Sequence, residues 1–165
     1  MTLCSARSVY LVGQRDRCEG AHDERSDRTT AGKHRLYSGA QTDPTAGHPS
    51  GSIARVVVTA LPGGAGVAMD YEVLSPENGR VHHEHSVLAR TPGGVVLMVS
   101  HSHAELASVL REAESGYFPA GDGEAEFPMA IRLQVPSPGK LIYSWSYGTP
   151  GQELMVRDVG TMTRV

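Results

Sequence analysis

Two cysteines, Cys4 and Cys18, in 165 residues are too few for a disulfide framework, and no Cys-x-x-Cys pair suggests a zinc or redox centre. Cys18 lies in a charged stretch and Cys4 has no better surroundings, so neither reads as a structured catalytic thiol. Basic residues are in slight deficit, with 15 Lys and Arg against 18 Asp and Glu. Phosphate neutralisation needs a clear basic excess, so nucleic acid is not expected as a partner. No apolar run approaches the roughly 18 residues of a membrane helix. The first apolar stretch, 9–12, is too short for the core of a secretory signal. A Gly-x-Gly-x-x-Gly motif, a phosphate-cradling loop and a Gly-x-Ser-x-Gly elbow are all absent. These absences leave an expected soluble, cytoplasmic chain of one domain, with no membrane partner and a core drawn from 39% hydrophobic residues.

Turn formers are plentiful, with 19 Gly and 10 Pro, and the apolar residues are unevenly placed. Among the 40 positions 13–52, only Leu36 and Tyr37 belong to the large apolar set, while 12 are charged. So little apolar surface does not offset the entropy of ordering a backbone. The expected division is a polar, largely irregular segment over 1–52, with first strands such as 33–38, and a barrel body over 53–165.

Within the body, β-rich runs at 53–61, 67–74, 80–90, 95–101, 126–135, 140–147 and 152–165 are separated by Pro/Gly turns. Ser75-Pro76-Glu77-Asn78-Gly79 is the strongest of these, since Pro presets φ and Asn-Gly tolerates positive φ. Short connections between such runs predict an antiparallel meander, and closure removes its exposed edges. The segment 104–113 places Leu106, Val109 and Leu110 at helical spacing, with Gly116 just beyond. The fold class expected is therefore mainly β: an antiparallel up-and-down β-barrel, calycin-like, with one short helix.

The chemistry-bearing residues are histidines. His82, His83 and His85 share one strand, and His101 and His103 end the next. An unbulged hairpin at 91–94 puts His82 opposite His103 and Glu84 opposite His101, gathering three imidazoles and a carboxylate on one face. A bulge or a one-residue slip brings His83 and His85 to that face instead. Such a cluster suits a metal or acid/base chemistry, but it matches no fixed ligand spacing, and no metal is expected. Closing the turn at 75–79 sets Met69 opposite His85 and Tyr71 opposite His83, with Asp70 and Glu72 on the other face. Tyr143, Trp145 and Tyr147 alternate with serines, an aromatic face that serves as core or as pocket lining.

Val81-His82-His83-Glu84, Leu88-Ala89-Arg90 and Val95-Val96-Leu97-Met98-Val99-Ser100-His101 resemble two consecutive strands of nitrobindin-type, fatty-acid-binding-protein-like barrels. Leu141-Ile142-Tyr143-Ser144, Gly151-Gln152-Glu153-Leu154 and Met162-Thr163-Arg164 are similar to that family's closing strands. The resemblance covers 53–165 and implies a calycin-like barrel. In nitrobindins it further implies haem held by a histidine near the last strand, with activity toward nitric oxide and peroxynitrite. Here Arg157 stands about where that histidine would fall, and the family's N-terminal Gly-x-Trp-x-Gly-x-Gly is missing. No cofactor is therefore expected, with haem a disfavoured alternative.

The leading expectation is a barrel enclosing a small hydrophobic or amphipathic molecule. Its expected lining is Met69, Tyr71, His83, His85, Val99, His101, Tyr143, Trp145 and Tyr147. Arg157 either pairs with a ligand carboxylate or, set opposite Ile142 by simple pairing, is a surface residue. The alternatives are a barrel isomerase or cyclase using His83, His85, His101, Tyr71 or Glu72, a haem protein with a non-standard ligand, and a protein-binding module. Monomer and homodimer are both compatible with the sequence.

Overall fold

The computed structural model describes residues 34–45, 49–121 and 127–165. Ten strands follow in chain order: β1 His34–Thr42, β2 Pro49–Ala60, β3 Gly66–Ser75, β4 Gly79–Thr91, β5 Gly94–His101, β6 Ser108–Arg111, β7 Tyr117–Pro119, β8 Met129–Gln134, β9 Lys140–Tyr147 and β10 Met155–Arg164. All neighbours are antiparallel, and the spatial order is β6-β5-β4-β3-β2-β1-β10-β9-β8-β7. The first and last strands pair in the middle of this order, Tyr37 against Arg164 through Thr42 against Val159. The up-and-down meander thus wraps into a nearly closed barrel whose one seam lies between β6 and β7. That seam is narrowed by the Glu114–Tyr117 bridge and by the Ala113 amide donating to the Tyr117 carbonyl at 3.0 Å.

The period-two alternation places Val56, Met69, Val99, Leu133 and Tyr143 inside, each essentially without solvent exposure. Closure between β1 and β10 depends on Gly39, because a Cβ there would stand 2.0 Å from the Thr161 carbonyl oxygen. Only a residue without a side chain lets the two backbones approach so closely.

Three expectations need correction. The segment 104–113 is not a helix: Ser108–Arg111 is a strand, and the described residues contain only a single 3₁₀ turn, Pro62–Gly64. Leu106 is 70% exposed and Val109 is 47% exposed, while Ser108 and Leu110 are buried, so burial follows period two. The free edge of β5 supplied the deciding force, since its unpaired backbone groups are satisfied by pairing Val96 with Arg111 through Val99 with Ser108. Gly116 does take a positive φ of 71°, but in a tight turn where the Tyr117 amide donates to Glu114.

The stretch expected to be largely irregular supplies β1 in full and the start of β2, so its strand extends well beyond 33–38. Its partners on both sides provide the burial that its own composition lacks, with Tyr37 and Gln41 turned inward. The rest of the polar segment, 1–33, lies outside the described residues, as do Cys4 and Cys18.

The third correction concerns register. The β4–β5 hairpin is unbulged, with Glu84 opposite His101. The β3–β4 hairpin carries a bulge between Val73 and Leu74, so that Leu74 faces Arg80 but Val73 faces His82. Val81 is the extra residue. Tyr71 therefore faces Glu84 and Met69 faces Ser86, instead of His83 and His85.

Candidate functional site at one mouth of the barrel

Because a one-residue shift reverses every side chain, the bulge at Val81 decides which histidines enter the barrel. His83 and His85 lie on the outer face and are exposed. His85 Nδ1 stands 2.7 Å from Asp70 Oδ1, and Glu72 pairs with Arg55 at 3.4 Å, both as cross-strand rungs on the outside. Exposed pairs of this kind contribute little. The register thus puts His83 and His85 on the outer face, not beside Tyr71 and Met69 as expected, while Glu72 lies on the face opposite Tyr71, where the alternation had set it.

Inside, Glu84 is fully buried at its side chain and satisfied from β9. The Tyr143 hydroxyl donates to Oε1, and the Trp145 indole donates to Oε2 at 3.1 Å. A carboxylate enclosed in protein needs such partners, because an unpaired buried charge is very costly. His82 Nε2 lies 3.8 Å from Glu84 Oε2, turned toward the carboxylate and shielded from solvent. A second chain runs alongside: Tyr71 donates to Gln41 Oε1 at 2.9 Å, and Gln41 donates to Asp158 Oδ1 at 3.1 Å. Gly160 makes room for it, since a Cβ there would meet Gln41 Oε1 at 3.1 Å and the Tyr71 hydroxyl at 3.2 Å.

Rings pack above these polar groups. Tyr71 stacks on Tyr143 with centroids 4.6 Å apart, and Trp145 meets His101 edge-to-face at 4.8 Å. His82 stacks against His103 at 5.3 Å, and His101 meets Phe127 at 5.9 Å. The His101 Nδ1 accepts from the His103 backbone amide at 3.3 Å, which orients that ring. Together they surround a cavity of about 350 Å³ at the barrel end where β3 meets β4 and β9 meets β10. Its walls are Tyr71, Val73, Val81, Phe127, Trp145 and Tyr147, and its polar groups are Gln41, His82, His101, His103 and Asp158.

The phenols respond first to burial and then to the two carboxylates. Burial pushes the Tyr71 phenol far above its ordinary range, and the charges of Glu84 and Asp158 push it further. Tyr143 is raised well above its ordinary value by burial and then by Glu84. Tyr147 is raised chiefly by burial and by Asp158, with Arg157 pulling the other way. Both buried phenols therefore stay protonated and act as donors.

Of the expected lining, Tyr71, His101, Trp145 and Tyr147 reach the cavity, whereas Met69, Val99 and Tyr143 fill the core beneath it. Arg157 lies at a bulge between Val156 and Asp158, not opposite Ile142, which pairs with Thr161. Its guanidinium sits 5.9 Å from the centre of the Tyr147 ring, half-buried beside the mouth. Sequence reasoning missed Gln41 and Asp158, one in an apolar-poor segment and one placed by a bulge, neither marked by alternation. The grouping of His82, His101, His103 and Glu84 was visible in the unbulged β4–β5 register.

Among the described residues, no group of three or more His, Cys, Asp or Glu side chains is arranged to hold a metal ion. Nor is any helix among them long and apolar enough to cross a membrane. No family model matches the chain, and neither does any curated protein or solved structure.

Proposed function

We propose that the protein binds one small amphipathic molecule in the cavity at this mouth. The observation that carries the reading is a space of about 350 Å³ walled by aromatic and aliphatic side chains, into which a few polar groups converge. That combination is the usual anatomy of a small-molecule site, and its size falls at the lower end for such pockets. A compact ring system suits it better than a long flexible chain. Barrel geometry supports the same conclusion: diameter grows with strand number, and eight strands already suffice to hold one small ligand. In this barrel the lower interior is filled by Met69, Val99, Leu133 and Tyr143, which leaves the mouth as the binding volume.

Haem is not the reading adopted. The Arg157 guanidinium has no lone pair to offer iron. The Nε2 atoms of both His82 and His101 are covered by protein.

The test is native mass spectrometry of the purified chain against its denatured mass, followed by fluorescence titration. Trp145 is the only tryptophan in the sequence and lines the cavity, so its emission reports on this site alone. A retained non-covalent mass, or saturable quenching of Trp145 emission by a small aromatic compound that the cavity-filling change Val73→Phe weakens, supports the reading. A bare mass together with unchanged emission across a chemically diverse ligand set overturns it.

A further inference from the structure

We infer that the preferred occupant of the mouth cavity is a small organic cation, an ammonium group carried on a compact apolar or aromatic frame. This inference rests on the ligand-binding reading above and specifies its chemistry.

Two carboxylates stand at the cavity. Asp158 lines it, and Glu84 lies directly behind two of its walls, Trp145 and His82. The hydrogen bonds to these carboxylates come from neutral groups: a phenol and an indole for Glu84, and the Gln41 amide for Asp158. Among the described residues, neither carboxylate forms an ion pair with a lysine or arginine. Among the described residues no lysine or arginine lines the cavity either. Two imidazoles stand near Glu84: His82 Nε2 lies 3.8 Å from its Oε2, and His101 is its cross-strand partner on β5. The phenols of Tyr71 and Tyr143, raised first by burial, are raised further by the charge of Glu84.

The walls favour a cation as well. Tyr71, Phe127, Trp145 and Tyr147 surround one space, and ring faces carry the negative end of their quadrupole. Aromatic enclosures of this kind recognise ammonium groups through cation–π attraction, strengthened where water is excluded. Tyr147 already meets one cation, the Arg157 guanidinium 5.9 Å from its ring centre. That arginine is held by other contacts, donating to Thr45 Oγ1 at 3.4 Å and to the Met155 sulfur at 3.7 Å. An anionic ligand would instead enter a space flanked by two carboxylates.

Three probes of matched shape separate charge from size: phenyltrimethylammonium, its neutral isostere tert-butylbenzene, and benzenesulfonate. Each is titrated into the full chain, read by Trp145 emission and by calorimetry. The cation should bind about tenfold more tightly than the neutral isostere, and the sulfonate should bind most weakly. Asp158→Asn should lower the affinity for the cation severalfold while leaving that for the neutral compound in place. Equal or tighter binding of the neutral compound or the sulfonate overturns the cation assignment and leaves the ligand-binding reading standing. Silence from all three overturns the cation assignment, and the ligand-binding reading falls with it only if the native mass is also bare and a chemically diverse set leaves the emission unchanged. Should Asp158→Asn fail to fold, the ranking on the unmodified chain decides.

Discussion

Replacing Tyr143 by phenylalanine removes one oxygen atom and leaves every packing contact of the ring in place. Tyr143 is completely buried, and its hydroxyl donates to Glu84 Oε1. In Tyr143→Phe, Glu84 keeps the Trp145 indole on its other oxygen at 3.1 Å, but Oε1 loses its donor in a space closed to water. Hydrogen bonds to charged groups contribute about 1.5–3 kcal/mol. Since the partner left behind is a buried carboxylate, the upper part of that range applies, about 2–3 kcal/mol. For a chain of this length the corresponding fall in Tm is roughly 5–10 °C. Urea unfolding followed by circular dichroism and by Trp145 emission measures it directly. The comparison that isolates the cause is Tyr143→Phe with Glu84→Leu, which removes donor and acceptor together. That double variant should be less destabilised than the sum of the two single ones. A Tyr143→Phe chain within about 0.5 kcal/mol of the parent, with additive behaviour in the double variant, would refute the claim that this bond anchors the site.

Stability should fall steeply above pH 10, because the unfolded chain releases the phenolic protons of Tyr71 and Tyr143 near 10.0 while the folded chain retains them. Fewer protons are then bound in the unfolded state, and two such groups give a slope of about −2.7 kcal/mol per pH unit. The slope should halve in Tyr71→Phe, as read by urea titrations between pH 9 and 11. Gly39→Ala forces a Cβ to within 2.0 Å of the Thr161 carbonyl and should cost about 3 kcal/mol by parting β1 from β10. Thermal unfolding and amide exchange in both strands would show it, and native-like protection there would contradict the close approach. His83→Ala and His85→Ala should change stability by less than about 0.5 kcal/mol and leave Trp145 emission unmoved. His101→Ala should shift that emission, since its ring lies 4.8 Å from the indole. The reverse pattern would mean that the register is slipped.

The strands from β2 to β5 and from β8 to β10 could be read along the chain, because alternation and Pro/Gly turns are local properties of the backbone. β9 falls at Lys140–Tyr147, the span expected for it. Antiparallel order followed from the short connections, and closure from the need to cover sheet edges. The aromatic face of Tyr143 and Trp145 was equally legible, as was the meeting of Glu84 with His101 across an unbulged turn.

Other features were decided by contacts distant in sequence. The segment 104–113 has a helical pattern of apolar residues, yet its Ser108–Arg111 becomes a strand because β5 presents an unpaired edge. β1 has too few apolar residues to order alone and is held by β2 on one side and β10 on the other. One extra residue at Val81 sent His83 and His85 outward and brought Glu84 beneath Tyr71. A bulge at Arg157 likewise set Asp158 at the mouth beside Gln41. The sequence by itself thus determined which residues form strands over most of the body and that those strands close on one another. Only the tertiary structure decided which face turns inward. The two faces of a strand differ by one residue of register, and a single bulge, selected by packing across the barrel, is enough to exchange them.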